Sequence, residues 1–100
     1  MQKSRTGIKE LMKHINVTVT GRVQGVYFRV ATQETAEFLG ITGFVKNQTD
    51  GSVYLEAEGK EETLKEFCQW LNSGPPAARV DKLDILVGEV QHLKDFIISR

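Results

Sequence analysis

Apolar side chains recur at every second position in three short segments of this 100-residue chain, and at helical spacing in two others. Alternation is typical of half-buried β-strands, and a spacing of three or four residues is typical of amphipathic helices. These five segments, together with short apolar stretches at 41–47 and 95–99, predict seven elements. In chain order they are a strand at 14–20, a helix at 29–39, strands at 41–47 and 52–58, a helix at 60–72, a strand at 79–87 and a short strand at 95–99.

Glycine and proline mark several of the predicted boundaries. Gly40 follows the first helix, Asp50-Gly51 separates the second and third strands, and Gly74-Pro75-Pro76 follows the second helix. The resulting order is β-α-β-β-α-β with a short terminal strand. It predicts an α+β fold of the ferredoxin-like split βαβ type, a four-stranded antiparallel sheet with both helices on one face.

Charge and cysteine content disfavour several classes of protein. Thirteen basic residues balance thirteen acidic ones, and nucleic-acid-binding proteins usually carry a basic excess. The single cysteine, Cys68, has no partner for an internal disulfide, and no Cys/His cluster has the spacing of a zinc site. We therefore expect no nucleic-acid partner, no metal and no cofactor.

The N-terminal segment carries no targeting signal that we recognise. Residues 1–12 lack the apolar stretch of a signal peptide, and no segment of the chain approaches the ~20 apolar residues of a membrane span. The simplest interpretation is a cytoplasmic, soluble protein with no membrane partner. We assign 1–12 to an extension and 13–100 to one domain, and leave open whether the extension is a short helix or a disordered tail.

The loop between the first strand and the first helix, GRVQGVYFR at 21–29, has the features of an anion site. Unpaired backbone N–H groups at a helix start attract anions, and glycine at 21 and 25 allows a close approach of the backbone. Arg29 is able to bind two oxygens of a phosphate-sized dianion. Spacing alone fits an ordinary turn with a solvated arginine equally well. A Walker loop is excluded because no Gly-Lys-Ser/Thr follows.

Asn47 ends the second predicted strand. In a split βαβ unit the first and second strands are parallel, with the third between them, so their carboxyl ends lie at the same edge of the sheet. Two inter-strand spacings make about 10 Å, enough for a phosphoryl group and one water between Asn47 and the loop. A simple turn asparagine is the alternative.

Two segments resemble the signatures of the acylphosphatase family. The first is VTGRVQGVYFR at 19–29, in which Gly-x-Val-Gln-Gly-Val-x-Phe-Arg is the core. The second is GFVKN at 43–47, followed by Gly51-Ser52-Val53 and Gly59. The resemblance extends from about residue 14 to residue 98.

The resemblance implies a ferredoxin-like monomer that hydrolyses small-molecule acyl phosphates without a metal and has inorganic phosphate as product and inhibitor. It assigns catalysis to Arg29 and Asn47, with Asn47 positioning the water. It assigns substrate binding to the backbone of Val23, Gln24, Gly25, Val26, Tyr27 and Phe28. Tyr27 occupies a variable position of the motif, where it affects access to the loop.

The remaining reactive side chains fit structural roles. Cys68 falls on the apolar face of the second helix and is expected in the core rather than as a nucleophile. His14 and His92 have no partner at the spacing of a triad or a metal site, and Glu56 and Glu58 are expected to be exposed.

Two non-catalytic alternatives share the predicted element order. RNA-binding modules of this order stack bases on aromatic residues in their central strands, but the first strand offers none on its outer face and the third offers only Tyr54. An anion sensor without turnover is the second alternative, and the presence of both Arg29 and Asn47 disfavours it.

Overall fold

The computed structural model describes residues 11–99 as two helices and five strands. In chain order the elements are β1 (Met12–Arg22), α1 (Phe28–Leu39), β2 (Thr42–Asn47), β3 (Val53–Lys60), α2 (Glu61–Ser73), β4 (Arg79–Gly88) and β5 (Phe96–Ile98). Each predicted element is present, and no end differs from its prediction by more than two residues.

The strands form one sheet in the order β4-β1-β3-β2-β5. The first four are joined by antiparallel pairs, and β5 extends the sheet by pairing parallel to β2. The predicted ferredoxin-like α+β fold is confirmed, with the short terminal strand at an edge. Because β1 and β2 are both antiparallel to β3, they are parallel to each other.

The core lies between the sheet and the two helices. Ile15, Val17 and Val19 of β1 are buried on one face, as their alternation predicts. The helices pack on that face and against each other, with the rings of Phe28 and Trp70 6.0 Å apart. This packing fixes the start of α1 relative to the carboxyl end of β1.

Gly40 ends α1 as predicted. Its φ of 75° is left-handed, and its N–H donates to the carbonyl oxygens of Ala36 and Glu37 at the end of the helix. Glycine adopts this conformation without the steric cost that a side chain brings.

The connection between β4 and β5 explains one wrong prediction. These strands lie at opposite edges of the sheet, so residues 89–95 cross its helix-free face. The backbone N–H groups of Gln91 and Leu93 donate to the carboxylate of Glu58 on β3. Glu58, predicted to be exposed, is only 1% exposed because this connection covers it.

The start of the chain is described only from residue 11. Met12 already belongs to β1, so the first strand includes the last residue of the predicted extension. The alternatives of a helix or a tail for the extension concern mainly 1–10, outside the described residues. Neither helix within 11–99 has the length and apolar character that crossing a bilayer requires.

Candidate active site

The loop at residues 23–27 joins β1 to α1 and is anchored in the core by two valines. Val23 and Val26 are buried. Gly25 and Tyr27 both have left-handed backbones, with φ of 74° and 70°. A non-glycine residue in this conformation is uncommon, and strained backbone positions cluster at functional sites. The loop is therefore held in one shape from the inside, while the Tyr27 side chain remains exposed.

The backbone N–H groups of this loop are available to a ligand. From residue 25 to residue 30 none of them donates a hydrogen bond to any residue in the described part of the chain. No side chain caps α1, and its first turn contains no acidic residue. Unpaired N–H groups and the positive end of the helix dipole together favour an anion at this position.

Arg29 is the second residue of α1 and is half-buried. Its guanidinium forms no hydrogen bond or ion pair with other residues of 11–99. A guanidinium that no carboxylate of residues 11–99 contacts retains its full capacity to bind an anion bidentately.

Asn47 lies at the same edge of the sheet as the loop. It pairs with Val53 of β3, which pairs in turn with Val19 of β1, two residues before Gly21. These two inter-strand spacings correspond to about 10 Å. The register thus gives the separation that the strand order predicts.

Side chains alternate between the two faces of β2, and this alternation places Asn47 on the helix-covered face. Val45 and Gly43, two and four residues earlier, are buried on that face. The Oδ1 atom of Asn47 is buried and accepts no hydrogen bond within residues 11–99. A buried amide oxygen without a donor carries a desolvation penalty, so this atom has unused capacity for a water or ligand donor.

The structure adds one contact that sequence reasoning missed. The side chain of Gln24 reaches from the loop to the β2–β3 turn, where its Nε2 donates to the carbonyl oxygens of Gln48 and Ser52 at 2.7 and 2.8 Å. The sequence motif marks Gln24, but its partners lie 24 and 28 residues away. Only the pairing of the strands brings them together.

Cys68 lies away from this edge. It is half-buried on α2, packs against the core, and burial raises the pKa of its thiol. It lines a groove of about 740 Å³ between α2 and β4, whose lining includes neither Arg29 nor Asn47. The predicted packing role of Cys68 agrees with this position, and we place the candidate site at the loop rather than in the groove.

The predictions that Glu56 and Glu58 are exposed were wrong. His14 is buried between the two carboxylates, with Nδ1 2.7 Å from Glu58 Oε2 and Nε2 2.9 Å from Glu56 Oε1. Register puts residues 14 and 58 opposite each other in the β1–β3 pair, a relationship that spacing along the chain does not reveal. Within 11–99, no group of three or more His, Cys, Asp or Glu side chains is arranged to hold a metal ion.

The helix-free face of the sheet carries a pair of aromatic side chains. Phe44 of β2 and Tyr54 of β3 lie there, with ring centroids 6.1 Å apart. Tyr54 also donates a hydrogen bond to Glu56. Lys46 Nζ also lies 6.0 Å from the centroid of the Tyr54 ring, so both a carboxylate and an ammonium group lie beside the aromatic pair.

Sequence comparisons place this geometry in a known family. The family model for acylphosphatase matches residues 15–98. An acylphosphatase from Trichormus variabilis is 43% identical over 86 residues, which cover 86% of this chain and 85% of that protein. An acylphosphatase from Methylococcus capsulatus is 47% identical over 74 residues, which cover 74% of this chain and 80% of that protein.

Solved structures agree with the sequence comparisons. An acylphosphatase from Coxiella burnetii superposes with a TM-score of 0.86 at 36% identity, covering 99% of both chains. The acylphosphatase from Bacillus subtilis also gives a TM-score of 0.86, at 32% identity, covering 90% of this chain and 100% of that one. Sequence and fold together show that this chain belongs to the acylphosphatase family.

Proposed function

We propose that this acylphosphatase binds the phosphoryl group of its substrate on the 23–28 loop and Arg29, and that Asn47 positions the attacking water. The enzyme hydrolyses acyl phosphates. The observation that carries the assignment of residues is the run of N–H groups at 25–30 that, like the guanidinium of Arg29 in the same run, have no partner within residues 11–99. This arrangement is complementary to a phosphoryl dianion.

The reaction balances without a covalent intermediate. The water oxygen attacks phosphorus while the bond between phosphorus and the acyl oxygen breaks, and the products are a carboxylate and inorganic phosphate. The loop N–H groups and Arg29 hold the equatorial oxygens as charge redistributes. The carboxylate is a good leaving group, so positioning and electrostatic stabilisation are sufficient for catalysis.

Asn47 acts on the water through its side-chain amide. Its buried Oδ1 accepts a hydrogen bond from the water and orients the water oxygen toward phosphorus. An amide is too weak a base to remove the proton, which passes to the substrate's own phosphoryl oxygen. Asn47 therefore contributes alignment, an effect that is worth much more in the transition state than in the bound ground state.

The proposal includes inorganic phosphate as product and competitive inhibitor, action as a monomer, and a cytoplasmic location. Phosphate fits because it carries the same oxygens that the loop binds. It should raise the melting temperature, since a ligand that binds only the native state stabilises it. Light scattering measures the molar mass of the active protein and so tests whether it is a monomer.

The decisive experiment is hydrolysis of acetyl phosphate in the presence of EDTA by wild type, Arg29→Ala and the matched control Arg79→Ala. Arg79 is an exposed arginine on β4 that pairs with Asp81. We expect turnover by wild type and the control, and a loss of at least about 100-fold for Arg29→Ala, the scale of a lost electrostatic contact. Phosphate binding without wild-type turnover would indicate an anion sensor. Turnover that needs an added divalent ion would contradict the metal-free mechanism.

A further inference from the structure

The side chain of Gln24 links the two halves of the candidate site. Its Nε2 donates to Gln48 O at 2.7 Å and to Ser52 O at 2.8 Å. Gln48 directly follows Asn47, and Ser52 lies at the other end of the same turn. A single amide group on the anion loop therefore holds both ends of the 48–52 turn, which directly follows Asn47.

The turn that receives these bonds has its own hydrogen-bond framework. Gln48 N–H donates to Ser52 O at 2.8 Å, and Gly51 N–H donates to Gln48 O at 3.1 Å. Ser52 donates from its N–H and its hydroxyl to Asp50 Oδ1. Each of the two carbonyl oxygens thus accepts one bond from the turn and one from Gln24, so the turn and the loop form one connected unit.

While Gln24 Nε2 donates to the two carbonyl oxygens of the turn, it has no hydrogen left to donate to a substrate. A glutamine NH₂ group has two hydrogens, and the two carbonyl oxygens accept both. The remaining polar atom, Oε1, is an acceptor and has no attraction for an anionic phosphoryl oxygen. The side chain of Gln24 is therefore committed to the protein, although its backbone belongs to the proposed phosphate loop.

We propose that Gln24 is a positioning residue that sets the spacing between the phosphate loop and Asn47, and so aligns the water with phosphorus. This inference rests on the proposed function, because it acts through Asn47. Alignment of reacting atoms is sensitive to displacement, and a misplacement of about 1 Å is able to cost about 100-fold in rate. Two bonds from one rigid amide restrict such a displacement.

The first test replaces Gln24 by Met, which has nearly the same length and no N–H. We expect kcat to fall by about tenfold or more, while the dissociation constant of inorganic phosphate changes little. The matched control is Gln69→Met, at an exposed position on α2. A parallel loss of phosphate affinity would overturn the proposal and assign Gln24 to the anion site.

The second test is a double-mutant cycle with Asn47→Ala. We expect Gln24→Met to lower kcat in the wild-type background and to have no further effect when Asn47 is already Ala. An equal loss in both backgrounds would overturn the positioning role. A wild-type kcat for Asn47→Ala alone would instead refute the proposed function of Asn47, so the two failures are distinguishable.

A second variant covers the case in which Gln24→Met does not fold. Gln24→Asn keeps a polar amide but is one methylene too short to reach both carbonyl oxygens. We expect the same pattern in the cycle, and thermal melts confirm that each variant is folded at the assay temperature. A purely structural residue would lower the melting temperature without coupling to Asn47 in kcat.

Discussion

His14 Nδ1 lies 2.7 Å from Glu58 Oε2, and each of the two side chains is only 1% exposed. The other ring nitrogen is 2.9 Å from Glu56 Oε1, so each ring nitrogen faces a carboxylate, an arrangement that favours the imidazolium form. Burial alone would lower the pKa of His14, but the bonds from Glu58 and Glu56 outweigh it and raise the pKa. Burial alone would raise the pKa of Glu58. The hydrogen bonds from the backbone N–H of Gln91 and from the His14 side chain outweigh it, so the pKa of Glu58 is lowered.

Because of this pair, we expect the free energy of unfolding to decrease as the pH rises. With its folded pKa raised, His14 stabilises the protein fully below its unfolded pKa of about 6.5. That contribution is lost as pH rises through the folded pKa. We expect the free energy of unfolding, measured by urea denaturation, to fall above pH 6.5, and His14→Gln to remove this dependence. The control His92→Ala, at an exposed histidine, should keep it. An unchanged pH dependence in His14→Gln would refute this role.

Gly25 and Gly40 offer a matched pair of left-handed glycines. Their φ values are 74° and 75°, and at both positions an added Cβ meets no atom within 4 Å. Replacing either by Ala should therefore cost about 1 kcal/mol of stability from backbone strain. Only Gly25→Ala should also weaken phosphate binding, because residue 25 lies in the proposed phosphate loop. Calorimetric titration with phosphate checks this, and equal phosphate affinities in the two variants would remove Gly25 from the site.

Cys68→Ala should keep nearly full turnover. The half-buried side chain packs against the core, so its truncation should lower the free energy of unfolding by about 1 kcal/mol. Denaturant melts and a turnover assay on the same preparation measure both effects. A folded Cys68→Ala protein without activity would show that the thiol takes part in the chemistry.

Arg29→Lys should be almost as harmful as Arg29→Ala. Lysine keeps the positive charge but lacks the planar fork that binds two phosphoryl oxygens together. Both kcat and the phosphate affinity should fall, since the phosphoryl group is anionic in the ground state and the transition state. A Lys variant within about tenfold of wild type would mean that Arg29 acts only as a point charge.

The sequence predicted the fold because local patterns and tertiary structure agree. The alternation at Ile15, Val17 and Val19 describes a strand with one buried face, and Gly40 has the conformation that a helix end favours. The burial of His14 and Glu58 was not predictable in this way. It depends on the β1–β3 register and on a connection that crosses the sheet after β4.

In the candidate site, too, the local features were predictable from the sequence and the long-range ones were not. The glycine-rich loop and Arg29 are adjacent in sequence, so the anion site was recognisable from local pattern. For Asn47, the local pattern taken alone favoured a turn residue. The strand pairing and side-chain parity that favour a functional role, and the partners of Gln24, are long-range features.

The most direct test of the proposed site compares kcat with phosphate affinity in Asn47→Ala, with Asn72→Ala on the exposed side of α2 as control. Asn47 acts on the water, whereas the loop and Arg29 hold the phosphoryl group. We therefore predict that Asn47→Ala lowers kcat by about 100-fold or more while the phosphate dissociation constant and the melting temperature stay close to those of Asn72→Ala. A phosphate affinity that collapses together with kcat would make Asn47 part of the anion site, and an unchanged kcat would contradict its role in catalysis.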